Sequence, residues 1–430
     1  MARTQDPGAE SGVAGCPVAH WFKPGETSAH PDPFPWYKQA REQGRVFFAP
    51  SGEGDDGMYV VTRYEEITQI LRDTTTYSNV YGMGENKPVP AEIVEQAGPG
   101  WTYPGDDHLT LLDPPKHTRQ RKLLNPSFTP KRLAVFEDVI REKAHARIDA
   151  FADQGHCDLG PDFAYQIPNK IIAPIMGASD EAADRFVVWL EAFLRMRLTD
   201  ASPEQQLQDW RDLFEQDQYN RSLLAARRAH PENDLLTDMI QATSEDGEPM
   251  LTDYEILANL MGTIGAGSGT SAIMILHTTY LLLTHPEQFA EVKADPDLIP
   301  VAIEEALRLR GTVRGIIRTT TQDTELGGVP IPKGARVYAL LASANHDEEV
   351  FDEPDRYNIH RPELKQHLAF SKWTHFCIGA PLARLEGRVA IGALIERLPN
   401  LRLAPDYERD FAYENNPVVS QLKSLRVAWD

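Results

Sequence analysis

From Ile256 to Leu283 the chain carries no Asp, Glu, Lys or Arg. At about 1.5 Å per residue, a helix over that run would be roughly 40 Å long. That length is enough to span a bilayer. Against a membrane span stand Gly262, Gly265, Gly267 and Gly269, a cluster of Thr and Ser, and weak basic flanks; the run is also internal and unrepeated. The reading left is a central helix buried on all sides, which requires a large domain around it. Thr252 and Glu255, at capping-box spacing, mark its start. With 430 residues, 41% of them hydrophobic, the chain can build such a surround.

A second stretch carries chemistry. Between His367 and Arg384 lies Cys377, with His375 before it and Gly379 after it. The following residues, Ala380 to Leu398, read as a helix with apolar Leu382, Leu385, Val389, Ala390, Ala393 and Leu394. A cysteine at a helix entrance feels the positive end of the dipole, which predicts a lowered pKa and a thiolate. Gly379 leaves room for a flat object or for backbone N–H groups turned toward sulfur. Such a thiolate suits a soft metal or haem iron. A lone cysteine in an apolar segment is more often an inert hydrophobe. The order Phe370, His375, Cys377, Gly379 points the other way.

That order resembles the haem-binding loop of the cytochrome P450 family, and the resemblance runs from about Pro33 onward. It implies a mainly α fold with a small β region, a triangular helical prism. Haem b would lie between the central helix and the Cys377 loop. The Cys377 thiolate would be the axial iron ligand and O2 the co-substrate. His117 and Arg121, one helical turn apart, resemble the clamp on the haem propionates, with Arg318 as a third ligand and His375 and Gly379 beside the cofactor. Ala266 to Ser271 resembles the oxygen-binding groove: Gly267 for close approach, Thr270 for a hydroxyl, Ser271 beside it. Glu305 and Arg308, joined by Arg361, match the family's buried ion pair. Val313, Gly315, Ile316, Val418 and Val419 are the expected pocket lining, which suggests a small hydrophobic substrate. Ser78 to Asp113, with Tyr81, Trp101 and Tyr103, is expected as a lid, and Phe186 to Leu194 and Gln206 to Arg228 as the roof.

The chain departs from the family's pattern in three places. Ser371 and Trp373 stand where glycine is frequent, and Gly269 stands where an acid usually precedes the threonine. With no acid there, protons are expected to travel by water through Ser268, Thr270 or Ser271. Some bacterial members that demethylate small aromatic ethers also lack that acid, which suggests oxidative O-demethylation besides hydroxylation.

Around this framework, residues 1–30 read as a flexible tail and 31–430 as one domain. Helices are expected over Pro35 to Gly44 and Tyr64 to Asp73, with a strand at Met58 to Thr62. Two more strands flank Lys333-Gly334. The formal charge of −21 argues against nucleic acid. No signal peptide or anchor is apparent at the N-terminus, so a cytoplasmic protein without a membrane segment is expected. Three distant cysteines, Cys16, Cys157 and Cys377, imply no disulfide framework. Lys116, Arg119, Arg121, Lys122, Lys131 and Arg132 form a basic patch without an acid. With Lys372 and Arg384 it is expected to dock an acidic ferredoxin-type redox protein, itself served by an NAD(P)H-dependent reductase. The alternatives are a peroxide-driven peroxygenase and a non-catalytic haem sensor. The first would want an acid near the oxygen site, and Ser268 to Ser271 offers none.

Overall fold

The computed structural model describes residues 16–23, 33–50, 57–80, 82, 87–198, 201–405, 407, 418–420 and 422–430. Tyr81 and residues 1–15 and 24–30 of the expected tail lie outside them. The molecule is mostly helical, with three small sheets. No described helix is long and apolar enough to cross a membrane.

The uncharged run is buried, as expected, but it is two helices rather than one. Asp253–Ser268 starts at a complete capping box: the Thr252 hydroxyl accepts from Glu255 N–H, and the Glu255 carboxylate accepts from Thr252 N–H. Gly269 then leaves helical geometry at φ −118° and ψ −29°, and Thr270–Thr284 resumes. A glycine loses most backbone freedom inside a helix, so the break falls where helix is least favoured. The second segment packs on Ile299–Leu309 and on the cysteine helix Ala380–Arg397, which also packs on Glu137–Asp149. These four contribute to the main hydrophobic core together with Asp253–Ser268 and Ile167–Met176.

The largest sheet orders its strands Val46–Pro50, Gly57–Val61, Arg336–Ala339, Ile316–Thr320, Tyr77–Ser78. Gly57–Val61 pairs in parallel with Arg336–Ala339, with Tyr59 opposite Val337; the other pairs are antiparallel. The strands flanking Lys333-Gly334 do not pair with each other. Val329–Ile331 pairs back on Thr324–Leu326 through Gly327 and Gly328, whose φ of 57° and 78° suit a tight hairpin turn.

The flexible-tail expectation needs correction at residues 16–23. Ala19 N–H donates to the Phe48 carbonyl at 2.9 Å, and Phe48 N–H to the Pro17 carbonyl at 2.8 Å. Ala19 and Phe22 are buried against Phe47. Val18, Ala19, Trp21 and Phe22 make this short stretch apolar, and Trp21 packs on Trp36 and Phe47 to dock it on the sheet edge.

Candidate active site

A cavity of about 780 Å³ runs between the central helices and the Cys377 loop. Its floor is set by the loop closure in which Cys377 N–H donates to the Phe370 carbonyl at 2.8 Å. Gly379 caps the cysteine helix at φ −79°, so backbone freedom does not require a glycine there; a Cβ would stand 3.9 Å from Cys377 Sγ, an ordinary contact. Cys377 is deep in the molecule, and the part of it that remains accessible faces the cavity. Burial pushes its thiol pKa up, against the opposing pull of Gly379 and Ala380 N–H groups and the Arg121 and Arg384 guanidinium groups. The expectation of a lowered pKa is therefore corrected. The helix entrance acts in the expected direction, but desolvation is larger, and a metal cation at Sγ is what would deprotonate it.

At one end of the cavity four basic side chains converge: His117, Arg121, Arg318 and His375. The His117 and His375 rings are 4.2 Å apart. Both His117 ring nitrogens are buried without a partner. Burial, aided by neighbouring cations, drives His117 down to about 4 and His375 to about 2, and burial lowers Arg318 to about 10. Among the described residues Arg318 donates only to its neighbour's carbonyl, Ile317 O, at 3.0 Å. Asp113 offers these groups no direct hydrogen bond; it accepts from the Ser78 hydroxyl and from the Asn79 backbone and side chain. Asn79 in turn reaches His375 Nε2 at 2.8 Å, a link that no motif had marked. Arg121 donates to Asn125 Oδ1 at 2.7 Å, but none of the four has a carboxylate partner among the described residues, which fits an anionic group such as the carboxylates of a haem would supply.

The central helices form a wall. Ala266, Gly267, Gly269, Thr270 and Ser271 line the cavity. The Thr270 hydroxyl donates to the Ala266 carbonyl at 2.9 Å, so Ala266 belongs to the groove although its side chain says nothing. A Cβ at Gly267 would lie 3.1 Å from Ile172 Cγ1, so this cavity-lining glycine also serves close packing against Ile167–Met176. Ser268 is excluded from the proton path: it is fully buried, its hydroxyl is tied to the Ile264 carbonyl, and it does not line the cavity.

An acid does stand beside this wall, contrary to the expectation of none. Glu386, on the cysteine helix, is fully buried, hydrogen-bonds Ser271 and lines the cavity. Burial pushes its pKa up to about 8. It was missed because it lies 116 positions from Thr270 in the chain. The available signal was Glu386 set amid the small and aliphatic residues in the body of the cysteine helix, the other Glu, Glu396, standing at its end. The argument against a peroxygenase from a missing acid lapses with it.

Of the expected pocket residues, Val313, Ile316, Val418 and Val419 line the cavity, and a β-bridge joins Val313 to Val419. Gly315 does not. Its missing side chain faces the Tyr338 ring, 2.4 Å from where a Cβ would stand. Glu305, Arg308 and Arg361 come together in the interior, away from the cavity. Arg308 donates twice to Glu305 at 2.8 Å, and Arg361 Nε donates to Glu305 Oε1 at 3.1 Å.

The basic patch is largely neutralised. Lys116 pairs with Asp107, Arg119 with Glu255, Arg132 with Asp238 and Arg384 with Glu304. Lys372 bonds the Tyr64 hydroxyl. Only Lys122 and Lys131 of the set are exposed and outside any ion pair among the described residues.

Comparison with known proteins agrees with this geometry. The family model "Cytochrome P450" matches residues 56–421. Cytochrome P450 107B1 of Saccharopolyspora erythraea is 36% identical over 80% of this chain and 83% of that protein. The cytochrome P450 monooxygenase PikC of Streptomyces venezuelae is 32% identical over 93% of this chain and 91% of that protein. Cytochrome P450 CREJ, solved with (4-ethylphenyl) dihydrogen phosphate, superposes with a TM-score of 0.86 at 30% identity, covering 96% of this chain and 100% of that one. The chain thus belongs to the cytochrome P450 family, as an oxidoreductase that carries haem on a cysteine thiolate and takes O2 as co-substrate.

Proposed function

We propose that this P450 inserts one oxygen atom from O2 into a small, mostly hydrophobic organic substrate, by hydroxylation or by oxidative O-demethylation of an aromatic ether. Electrons come from a ferredoxin-type protein and an NAD(P)H-dependent reductase, in the cytoplasm. The observation that carries the reading is the pairing of Cys377, on the cavity lining, with basic groups at one end of the same cavity, among them His117 with both ring nitrogens unpartnered. Cys377 is the iron ligand, and His117, Arg121, Arg318 and His375 hold the propionates. The bound haem supplies oxygen activation.

The protein's own residues do the rest. Val313, Ile316, Val418 and Val419 offer apolar contact to the substrate and exclude water. Apart from Arg121 and Arg318, the only Lys or Arg on the cavity lining among the described residues is Lys423, so a neutral substrate is favoured over a phosphate ester. The Thr270 hydroxyl offers its proton at the groove as a hydrogen bond and rests hydrogen-bonded to the Ala266 carbonyl between turnovers. Glu386, kept protonated by burial, passes a proton through the Ser271 hydroxyl toward that position. Glu305, Arg308 and Arg361 are structural, fixing the segment that leads into the Cys377 loop.

Cys377→Ser tests the central assignment. The reduced, CO-bound protein is expected to lose its thiolate-type Soret position. An unchanged spectrum in the variant would overturn the ligand assignment.

A further inference from the structure

The roof end of the cavity holds a polar group that no role above uses. His108 lines the cavity and is buried, and its Nε2 has no hydrogen-bond partner. Three contacts fix the ring. Nδ1 lies 2.8 Å from the Thr110 hydroxyl. The Phe193 ring meets it edge-on at 5.7 Å. Gly262, on the central helix, gives it a seat: a Cβ there would stand 2.6 Å from His108 Cβ and Cγ. The backbone beside it is tied to the same helix, because Leu109 N–H donates to Asn259 Oδ1 at 3.3 Å and Asn259 is held by Gln120. A glycine, an asparagine and a threonine thus orient an imidazole that lines the cavity and keeps a buried, unpartnered Nε2.

We propose that His108 is a specificity-determining residue whose Nε2–H donates a hydrogen bond to a neutral oxygen acceptor, a carbonyl or ether, on the substrate. This rests on the monooxygenase reading above and names a substrate feature within it. We assign the Thr110 hydroxyl as donor to Nδ1, which puts the ring proton on Nε2. Burial and nearby Arg197 hold the imidazole pKa down at about 3, so the ring is neutral at working pH and favours a neutral acceptor over a carboxylate. A substrate without an acceptor leaves a buried N–H unpaired once water is expelled, which is the basis of strong discrimination. Gly262 lies two helical turns, roughly 12 Å at about 1.5 Å per residue, before Thr270. The acceptor and the oxidised carbon therefore lie toward opposite ends of the substrate.

The test is a Soret-shift titration of the purified holoprotein with isosteric pairs: acetophenone against α-methylstyrene, and benzophenone against 1,1-diphenylethylene. The wild type is expected to bind the ketone of at least one pair about tenfold tighter. His108→Phe, which keeps the ring contact to Phe193, should abolish that preference, and His108→Gln should restore part of it. Haem content and the CO spectrum are recorded for each protein. A wild type lacking the thiolate-type CO spectrum would defeat the haem-thiolate reading itself. A normal spectrum with no ketone preference, or with a preference that survives in His108→Phe, would overturn the anchor alone.

Discussion

At Ser371 and Trp373 the backbone turns through φ of 57° and 52°, a region that costs a non-glycine residue about 1–2 kcal/mol. These are the two positions where the family's loop often has glycine. The loop keeps its shape because Cys377 N–H and Ser371 N–H are held by the Phe370 and Leu368 carbonyls. Trp373 recovers little by packing, since its side chain is 47% exposed. Trp373→Gly should therefore stabilise the protein by about 1 kcal/mol, after allowing for the extra entropy of glycine in the unfolded chain. Urea unfolding of both proteins measures it. A less stable variant would mean that the indole does pack usefully.

Between elements, the decisive contact joins the cysteine helix to the second central helix through Glu386 and Ser271. The buried carboxyl keeps its proton up to about pH 8, whereas the unfolded chain releases it above its ordinary value of 4.5. The native state thus binds the extra proton in that window. Stability contributed by this group is complete below about 4.5 and is lost as pH rises through about 8. Glu386→Gln cannot ionise, so it should gain on the wild type as pH is raised from 5 to 8.5, by urea midpoint. A difference independent of pH would show that Glu386 is not protonated in the folded protein. The break at Gly269 belongs to the same scale. It separates two helices where the uncharged run had suggested one, because periodicity detects burial and does not detect a single residue leaving the helix.

Across the whole molecule, a formal charge of −21 makes any exposed basic surface stand out. Of the basic patch, Lys122 and Lys131 are exposed and outside any ion pair among the described residues, and the short helix Pro130–Leu133 packs on the cysteine helix. Exposed Trp373 and Phe376 sit on the Cys377 loop itself. Complementary charge raises association rate and is screened by salt. Lys122→Glu with Lys131→Glu should slow reduction by an acidic ferredoxin-type donor about tenfold at low ionic strength, with the gap closing as salt is added. Equal stopped-flow rates across the salt series would place docking elsewhere. Arg119 is unsuited to this test, because its pairing with Glu255 holds the start of the central helix.

The sequence by itself determined the elements whose cause is local. The capping box at Thr252, the uncharged run, the cysteine helix and the order of the Cys377 loop are written in neighbouring residues, and these sufficed for fold and family. Tertiary structure decided what depends on residues far apart in the chain. Burial raised the Cys377 pKa against the helix dipole. Acids from distant segments neutralised most of the basic patch. Ile172 packs on Gly267, Tyr338 explains Gly315, and Glu386 reached Ser271 from another helix. Pairing, desolvation and packing are properties of the assembled interior, and a one-dimensional pattern does not contain them.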